Sequence, residues 1–217
     1  MRPRGVVFDM DGLLLDTERV YLSGFRAAMA AHGLPPDDEI FRRMIGTNRA
    51  LGRRILTEGL AGRVSLEDFD TVWDRHIAEA LEGGIPIKPG VRPLAEHLRD
   101  IGIPYIIATS TRTDRAHAAL ARAGLADLFP DVIGGDRVTA SKPAPDIYLL
   151  ACETLGLPPR DCAAFEDSPN GVRAAVAAGL RTVQIPDILE PDAELRALGH
   201  TISPDLLSGA IALGLLI

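Results

Sequence analysis

Short apolar runs alternate along the chain with longer stretches in which apolar residues recur every three or four positions. The runs GVVFD (5–9), YIIATS (105–110), DVIGG (131–135), CAAFED (162–167) and TVQIP (182–186) have the length and composition of buried strands. The stretches 92–102, 113–125, 144–156 and 170–179 carry helical spacing, and each closes on a glycine suited to a helix C-terminus. Strand alternating with helix at this spacing predicts a doubly wound α/β fold, its mostly parallel sheet covered on both faces.

From residue 16 to about 86 the alternation stops. The pattern there predicts helix after helix, over 17–32, 37–44, 49–58 and 66–82. Ser65 stands as N-cap of the last, with Asp68 three residues on, and Phe69, Val72, Trp73, Ile77 and Leu81 fall on one face. Four helices after the first strand predict an inserted all-helical cap domain (16–87) on an α/β core (1–15 and 88–217). The tracts 15–17 and 81–90 would be the hinges. Phe69 and Trp73 then belong to the cap's own core. Arg42, Arg43, Arg53 and Arg54 form a solvated face from which one could reach an anionic substrate.

Composition narrows the partners. The 217 residues, 47% hydrophobic and 24% charged, suit a soluble protein of one or two domains. A formal net charge of −7, with no basic run, argues against nucleic acid as partner. Asp9 and Asp11 interrupt the first apolar run before it reaches the length of a signal-peptide core, and the late run 210–217 is far short of the roughly 20 residues of a membrane span. The expectation is a cytoplasmic protein without membrane partner, for which a monomer is plausible. Cys152 and Cys162 are expected to be small buried hydrophobes and not a disulfide.

In an open parallel sheet the ligand crevice lies at the carboxyl ends of the strands. Asp9 and Asp11 stand there after the first run, Thr109 and Ser110 after the second, and Glu166 and Asp167 after the fourth, with Lys142 in a loop shortly before a helix. Each alone has an ordinary explanation as a cap, a turn hydroxyl or a solvated lysine. Their delivery to one edge by four separate segments is far rarer. Asp9 and Asp11 point to the same side if the strand conformation persists, with Met10 turned away and Gly12 permitting a sharp bend. Acids this close repel unless a cation or a shared proton relieves them. An all-oxygen set, with no thiol and no convergent histidine, selects a hard cation, Mg²⁺ ahead of Zn²⁺.

The tracts FDMDGLLLDTE (8–18), ATS (108–110), SKPAPD (141–146) and FEDSPNG (165–171) resemble, in order and spacing, the four motifs of the haloacid dehalogenase-like hydrolase superfamily. The segment 16–86 is similar to the helical cap of the subgroup containing phosphoglycolate phosphatase and β-phosphoglucomutase. The resemblance implies that Asp9 attacks phosphorus and carries the phosphoryl group. It implies Mg²⁺ held by the Asp9 carboxylate, the Asp11 backbone carbonyl and Asp167, with Glu166 behind them or acting through a water. Asp11 would protonate the leaving oxygen and then take a proton from water. The Thr109 hydroxyl, the Ser110 backbone N–H and Lys142 would hold phosphate oxygens. A dehalogenase needs neither Asp11 as proton carrier nor Asp167 for a metal, and a phosphonate hydrolase of the family would want a cap lysine, of which 16–87 has none.

On the cap side the candidates are Glu18, Tyr21 and Arg49. In the sugar-phosphate mutases an arginine matching Arg49 grips a distal phosphate, yet Val20 and Tyr21 stand where they usually carry a histidine. Arg49 is otherwise a solvated arginine at a helix start, and Tyr21 is otherwise cap packing. The expectation is a Mg²⁺-dependent phosphatase acting on a small phosphorylated metabolite through an aspartyl-phosphate. A hexose-phosphate mutase and a catalytically silent metabolite-binding protein stay open beside it.

Overall fold

The run GVVF forms a central strand, β1 (Gly5–Phe8), because its alternate side chains satisfy two different cores. Val6 and Phe8 enter one apolar cluster and Val7 enters another, on the opposite face of the sheet. A computed structural model describes residues 2–216. Among them, β1 joins β2 (Tyr105–Ala108), β3 (Val132–Ile133), β4 (Cys162–Glu166), β5 (Arg181–Gln184) and β6 (Thr201–Ile202) in one parallel sheet of order β3-β2-β1-β4-β5-β6. The chain runs outward from β1 in one direction and then returns to its other side. That reversal opens a crevice at the carboxyl ends of β1, β2 and β4.

Four helices follow β1: α1 (Thr17–Ala31), α2 (Asp38–Arg42), α3 (Arg49–Leu60) and α4 (Leu66–Ala80). They share a core of their own, with Phe25, Phe41, Leu56 and Phe69 fully or almost fully buried. Ser65 caps α4 by accepting the Asp68 N–H, as its spacing predicts. The two strands of chain leading into and out of these helices lie side by side: Asp16 N–H donates to the Pro86 carbonyl at 2.9 Å and Lys88 N–H to the Leu14 carbonyl at 2.9 Å.

The sheet is covered by α5 (Val91–Asp100) and α6 (Thr113–Arg122) on one face and by α7 (Asp146–Thr154) and α8 (Pro169–Ala177) on the other. Two short helices complete the fold, α9 (Ala193–Arg196) and α10 (Leu206–Ala212). The apolar tail packs through Leu206, Ala210 and Leu215 into the cluster that contains Phe8. Cys152 and Cys162 are buried free thiols. No helix among the described residues is long and apolar enough to cross a membrane.

The strands stop one or two residues before the apolar runs do. Asp9 N–H still donates to the Phe165 carbonyl at 3.0 Å and Thr109 N–H to the Ile133 carbonyl at 3.0 Å, after which the chain leaves the sheet. In these two runs the last bonded residue, Asp9 or Thr109, is delivered to the crevice, and in the β4 run the residue delivered is Asp167, one residue past the last bonded one. β6, α9 and α10 lie outside the elements that periodicity predicts. β6 is a two-residue edge strand, and α10 sits in a tail so uniformly apolar that helical spacing is hidden.

Candidate active site

Asp9, Lys142, Glu166 and Asp167 meet under the carboxyl ends of β1 and β4, each less than a tenth exposed. The Lys142 ammonium donates to Asp9 Oδ1 at 2.5 Å, to Glu166 Oε1 at 2.6 Å and to the Ala108 carbonyl at 3.0 Å. An ammonium has three N–H donors, so all of them are engaged. Glu166 is saturated in turn. Its Oε1 also accepts from the Tyr148 hydroxyl at 2.8 Å, and Oε2 accepts from the backbone N–H of Asp167 and of Ser168 and from the Ser168 hydroxyl, each at 3.0 Å. Gly171 makes this possible, because a β-carbon there would collide with the Glu166 carboxylate. Glu166 therefore anchors Lys142 and has no lone pair left to offer elsewhere.

Asp167 is the opposite case. Its Oδ1 is buried without a hydrogen-bond partner, and a ligand atom from each of Asp9, Glu166 and Asp167 lies within 4.8 Å of the others. A buried carboxylate oxygen is costly to leave unpaired, and adjacent acids add repulsion. Oxygen donors in this arrangement fit a hard divalent cation held by Asp9 and Asp167, with Glu166 committed to the lysine behind them.

The Asp11 carboxylate stands outside that trio. Its Oδ1 accepts from the Thr17 hydroxyl at 2.9 Å, and its Oδ2 accepts from the Thr111 hydroxyl at 2.8 Å and from Thr109 at 3.4 Å. The Asp11 side chain is thus held by hydroxyls, apart from the trio of Asp9, Glu166 and Asp167. Gly12 follows at φ +82°, in the left-handed region that glycine adopts without penalty.

These contacts fix the charges. Burial pushes Asp9 up to about 7, with Lys142 pulling it down and Glu166 and Asp11 pushing it further up. Burial also lifts Asp167 well above the carboxylate range, reinforced by Glu166, Asp9 and Glu18. Burial works to lower the Lys142 ammonium, but Asp9 and Glu166 outweigh it and hold its pKa above the ordinary lysine value. Glu18, on the first turn of α1, is pushed up to about 8 by burial and by the charges of Asp11, Asp187 and Asp9.

Above these groups lies a cleft of about 630 Å³ between the sheet edge and α1, α3 and α4. Asp9, Asp11, Thr109, Ser110, Lys142 and Asp167 line its floor, while Glu18, Tyr21, Arg49 and Trp73 line its roof. The structure thus brings the sequence candidates, Arg49 included, to one cavity, with Glu166 sealed just beneath it. Trp73 serves the cap core as expected and also faces the cleft. Arg53 lines the cleft too, paired with Asp70. The roof rests on the floor where Asn48 Nδ2 donates to Ser141 Oγ at 3.0 Å.

Four contributors escape the sequence reading: Thr17, Thr111, Tyr148 and Ser168. Thr111 lies two residues beyond Thr109, where the chain has left β2 and turns, so strand alternation does not mark it. Thr17 lies inside the first motif, where it reads as a hinge residue. Tyr148 has no local signal, because helical spacing shows that a ring is buried but not which carboxylate its hydroxyl meets.

A family model described as haloacid dehalogenase-like hydrolase matches residues 3–179. The "Phosphorylated carbohydrates phosphatase" of Thermotoga maritima is 36% identical over 178 residues, covering 82% of each chain. Hexitol phosphatase A of Escherichia coli is 33% identical over 186 residues, covering 85% of this chain and 84% of that one. Among solved structures, a HAD family hydrolase from Deinococcus radiodurans R1 with bound phosphate and sodium superposes with a TM-score of 0.80 at 29% identity, over 99% of this chain and 98% of that one. On these matches, and with its motifs gathered at one sheet edge, the chain belongs to the haloacid dehalogenase-like hydrolase family.

Proposed function

We propose that the protein is a Mg²⁺-dependent phosphatase that hydrolyses small phosphomonoesters of sugars or related metabolites, carrying the phosphoryl group on Asp9. The observation that carries this reading is the Asp9 carboxylate on the cleft floor, 2.5 Å from the Lys142 ammonium and beside an Asp167 oxygen with no partner. A phosphate dianion approaching Asp9 meets like charge, a repulsion of several kcal/mol at an effective dielectric of about 20. Mg²⁺ held by Asp9, Asp167 and the Asp11 carbonyl would offset that repulsion and draw electron density from the phosphoryl oxygens.

In the first step an Asp9 oxygen bonds to phosphorus as the bond from phosphorus to the ester oxygen breaks. The departing oxygen takes a proton from Asp11, which the Thr17 and Thr111 hydroxyls hold in place. As Asp9 gives up its negative charge, its hold on Lys142 weakens and one ammonium N–H turns to a phosphoryl oxygen. Thr109 and Ser110 support the remaining oxygens. In the second step water attacks phosphorus and passes its proton to Asp11. The Asp9–phosphorus bond breaks, inorganic phosphate leaves and the carboxylate is restored. Glu166 takes no part in bond making; it positions Lys142.

The roof supports a small polar substrate, since Glu18, Tyr21 and Arg49 offer hydrogen bonds beside the apolar wall of Trp73. The names of the Thermotoga and Escherichia coli relatives, which concern phosphorylated carbohydrates and hexitols, support the same class. A panel of phosphorylated metabolites, assayed for phosphate release with and without chelator, tests the reading. Release of phosphate from sugar or polyol phosphates that stops on chelation is expected. Isomer interconversion primed by a bisphosphate, without net phosphate, would make the protein a mutase. Binding without any turnover would make it a silent relative.

A further inference from the structure

We propose that Glu18 adds its charge to the cation site from the cap, so that cation binding in the core and closure of the cap favour each other. This rests on the cation site proposed above. Glu18 belongs to the first turn of α1, on the cap side of the paired linkers, whereas Asp9 and Asp167 belong to the core. Glu18 and Asp167 both come close to the bare backbone of Gly12. A β-carbon on Gly12 would overlap the Asp167 carboxylate and lie 3.3 Å from Glu18 Cγ. Any larger residue there would displace the Asp167 carboxylate and press on the Glu18 side chain.

The cation whose charge bears on Glu18 is Lys88, and it is already engaged. Lys88 pairs with Asp187 at 2.7 Å and with Asp16 at 3.3 Å, and Arg19, one residue from Glu18, pairs with the same Asp187 at 2.7 Å. With the cap down, the carboxyls of Asp9, Asp11, Glu18 and Asp167 line one cleft, where the Lys142 ammonium is already engaged by Asp9 and by Glu166 beneath it. Without a cation, closure brings one more acid into a nest that already holds an excess. With a cation present, the same approach becomes favourable. Because coupling between two equilibria is reciprocal, whatever affinity Glu18 adds returns as a bias toward the closed cap.

The test uses the full chain stripped with chelator, Mg²⁺ alone as probe, and no substrate, so that a role of Glu18 in substrate recognition cannot enter. Mg²⁺ affinity is measured by calorimetry for the wild type, E18Q, E18D and D167N. Residues that support metal ligands from outside are typically worth 10- to 100-fold in affinity, so E18Q should bind about tenfold more weakly or worse, with E18D recovering part of the loss. Hydrogen exchange at 45–48, the cap loop whose Asn48 reaches Ser141, should slow on adding Mg²⁺ to the wild type and not to E18Q. Equal affinity in E18Q and wild type would overturn the inference, as would exchange at 45–48 that ignores Mg²⁺ in the wild type. Undiminished binding by D167N would remove the cation site itself, a pattern distinct from the failure of Glu18 alone.

Discussion

On the floor of the cleft Lys142 and Glu166 leave no donor or acceptor unused, while on the roof Arg49 stands exposed and Tyr21 and Trp73 are half-buried. The floor is made by strand ends tied into one sheet and backed by buried hydrogen bonds, which become stronger in a low-dielectric interior. The roof is made by a helical bundle with its own apolar cluster, which meets the rest of the chain through Val20 and Ile77, through Ile188 and Leu189, and through Asn48 and Ser141. A rigid floor suits chemistry that is the same for every phosphate ester. A roof built from different elements suits recognition of what the phosphate is attached to.

Substitutions should separate the two walls. Asp9→Asn is expected to lower kcat by about 10⁴-fold or more while the protein keeps its thermal transition, since loss of a nucleophile removes the bond-making group itself. Substantial turnover in that variant would take the reaction away from the floor. Glu166→Ala should destabilise the fold by about 3 kcal/mol, because it strips the buried Lys142 of a partner, and should also lower kcat. A denaturation midpoint unchanged from the wild type would show that the lysine is held without it.

Acidity offers a third probe, which reads one acid from each wall. In the stripped protein Asp9 and Glu18 keep their protons up to about 7 and about 8, whereas unfolded carboxyls lose theirs near pH 4. Between those values the folded state binds more protons, so its stability falls as pH rises. Thermal unfolding in chelator should give a lower Tm at pH 8 than at pH 5, and Mg²⁺ should narrow the gap by replacing the protons. A higher Tm at pH 8 would contradict the crowding of acids. The smallest effect belongs to the roof: Arg49→Ala should raise KM by about tenfold with kcat within about twofold. A fall in kcat with unchanged KM would move Arg49 from recognition to chemistry.

Much of the floor was legible because its residues are punctuation marks. Asp9, Thr109 and Asp167 each end an apolar run, and the parallel topology implied by the alternation carries run ends to one edge. Lys142 was legible only by its neighbours Ser141 and Pro143, as it belongs to no run. Glu166 could be placed in the site but not given its partner, since the Tyr148 and Ser168 hydroxyls reach it through tertiary packing. The roof was harder. Helical spacing gave the bundle and the burial of Phe69, but not that Ile188 and Leu189, from the loop after β5, pack against it. Nor could it show that Asp187 of that loop ties Lys88 and Arg19 together across the linkers. Such contacts join segments distant in sequence and leave no periodic trace.

The most direct measurement is to trap the phosphoryl group. Asp11→Asn should slow the attack of water more than formation of the aspartyl-phosphate when the leaving group needs no proton. Acid quench of that variant during turnover of an activated phosphate ester, followed by mass spectrometry of its peptides, should place one phosphoryl group on Asp9. Turnover with no phosphoryl group on Asp9, or with the group on another residue, would contradict the account.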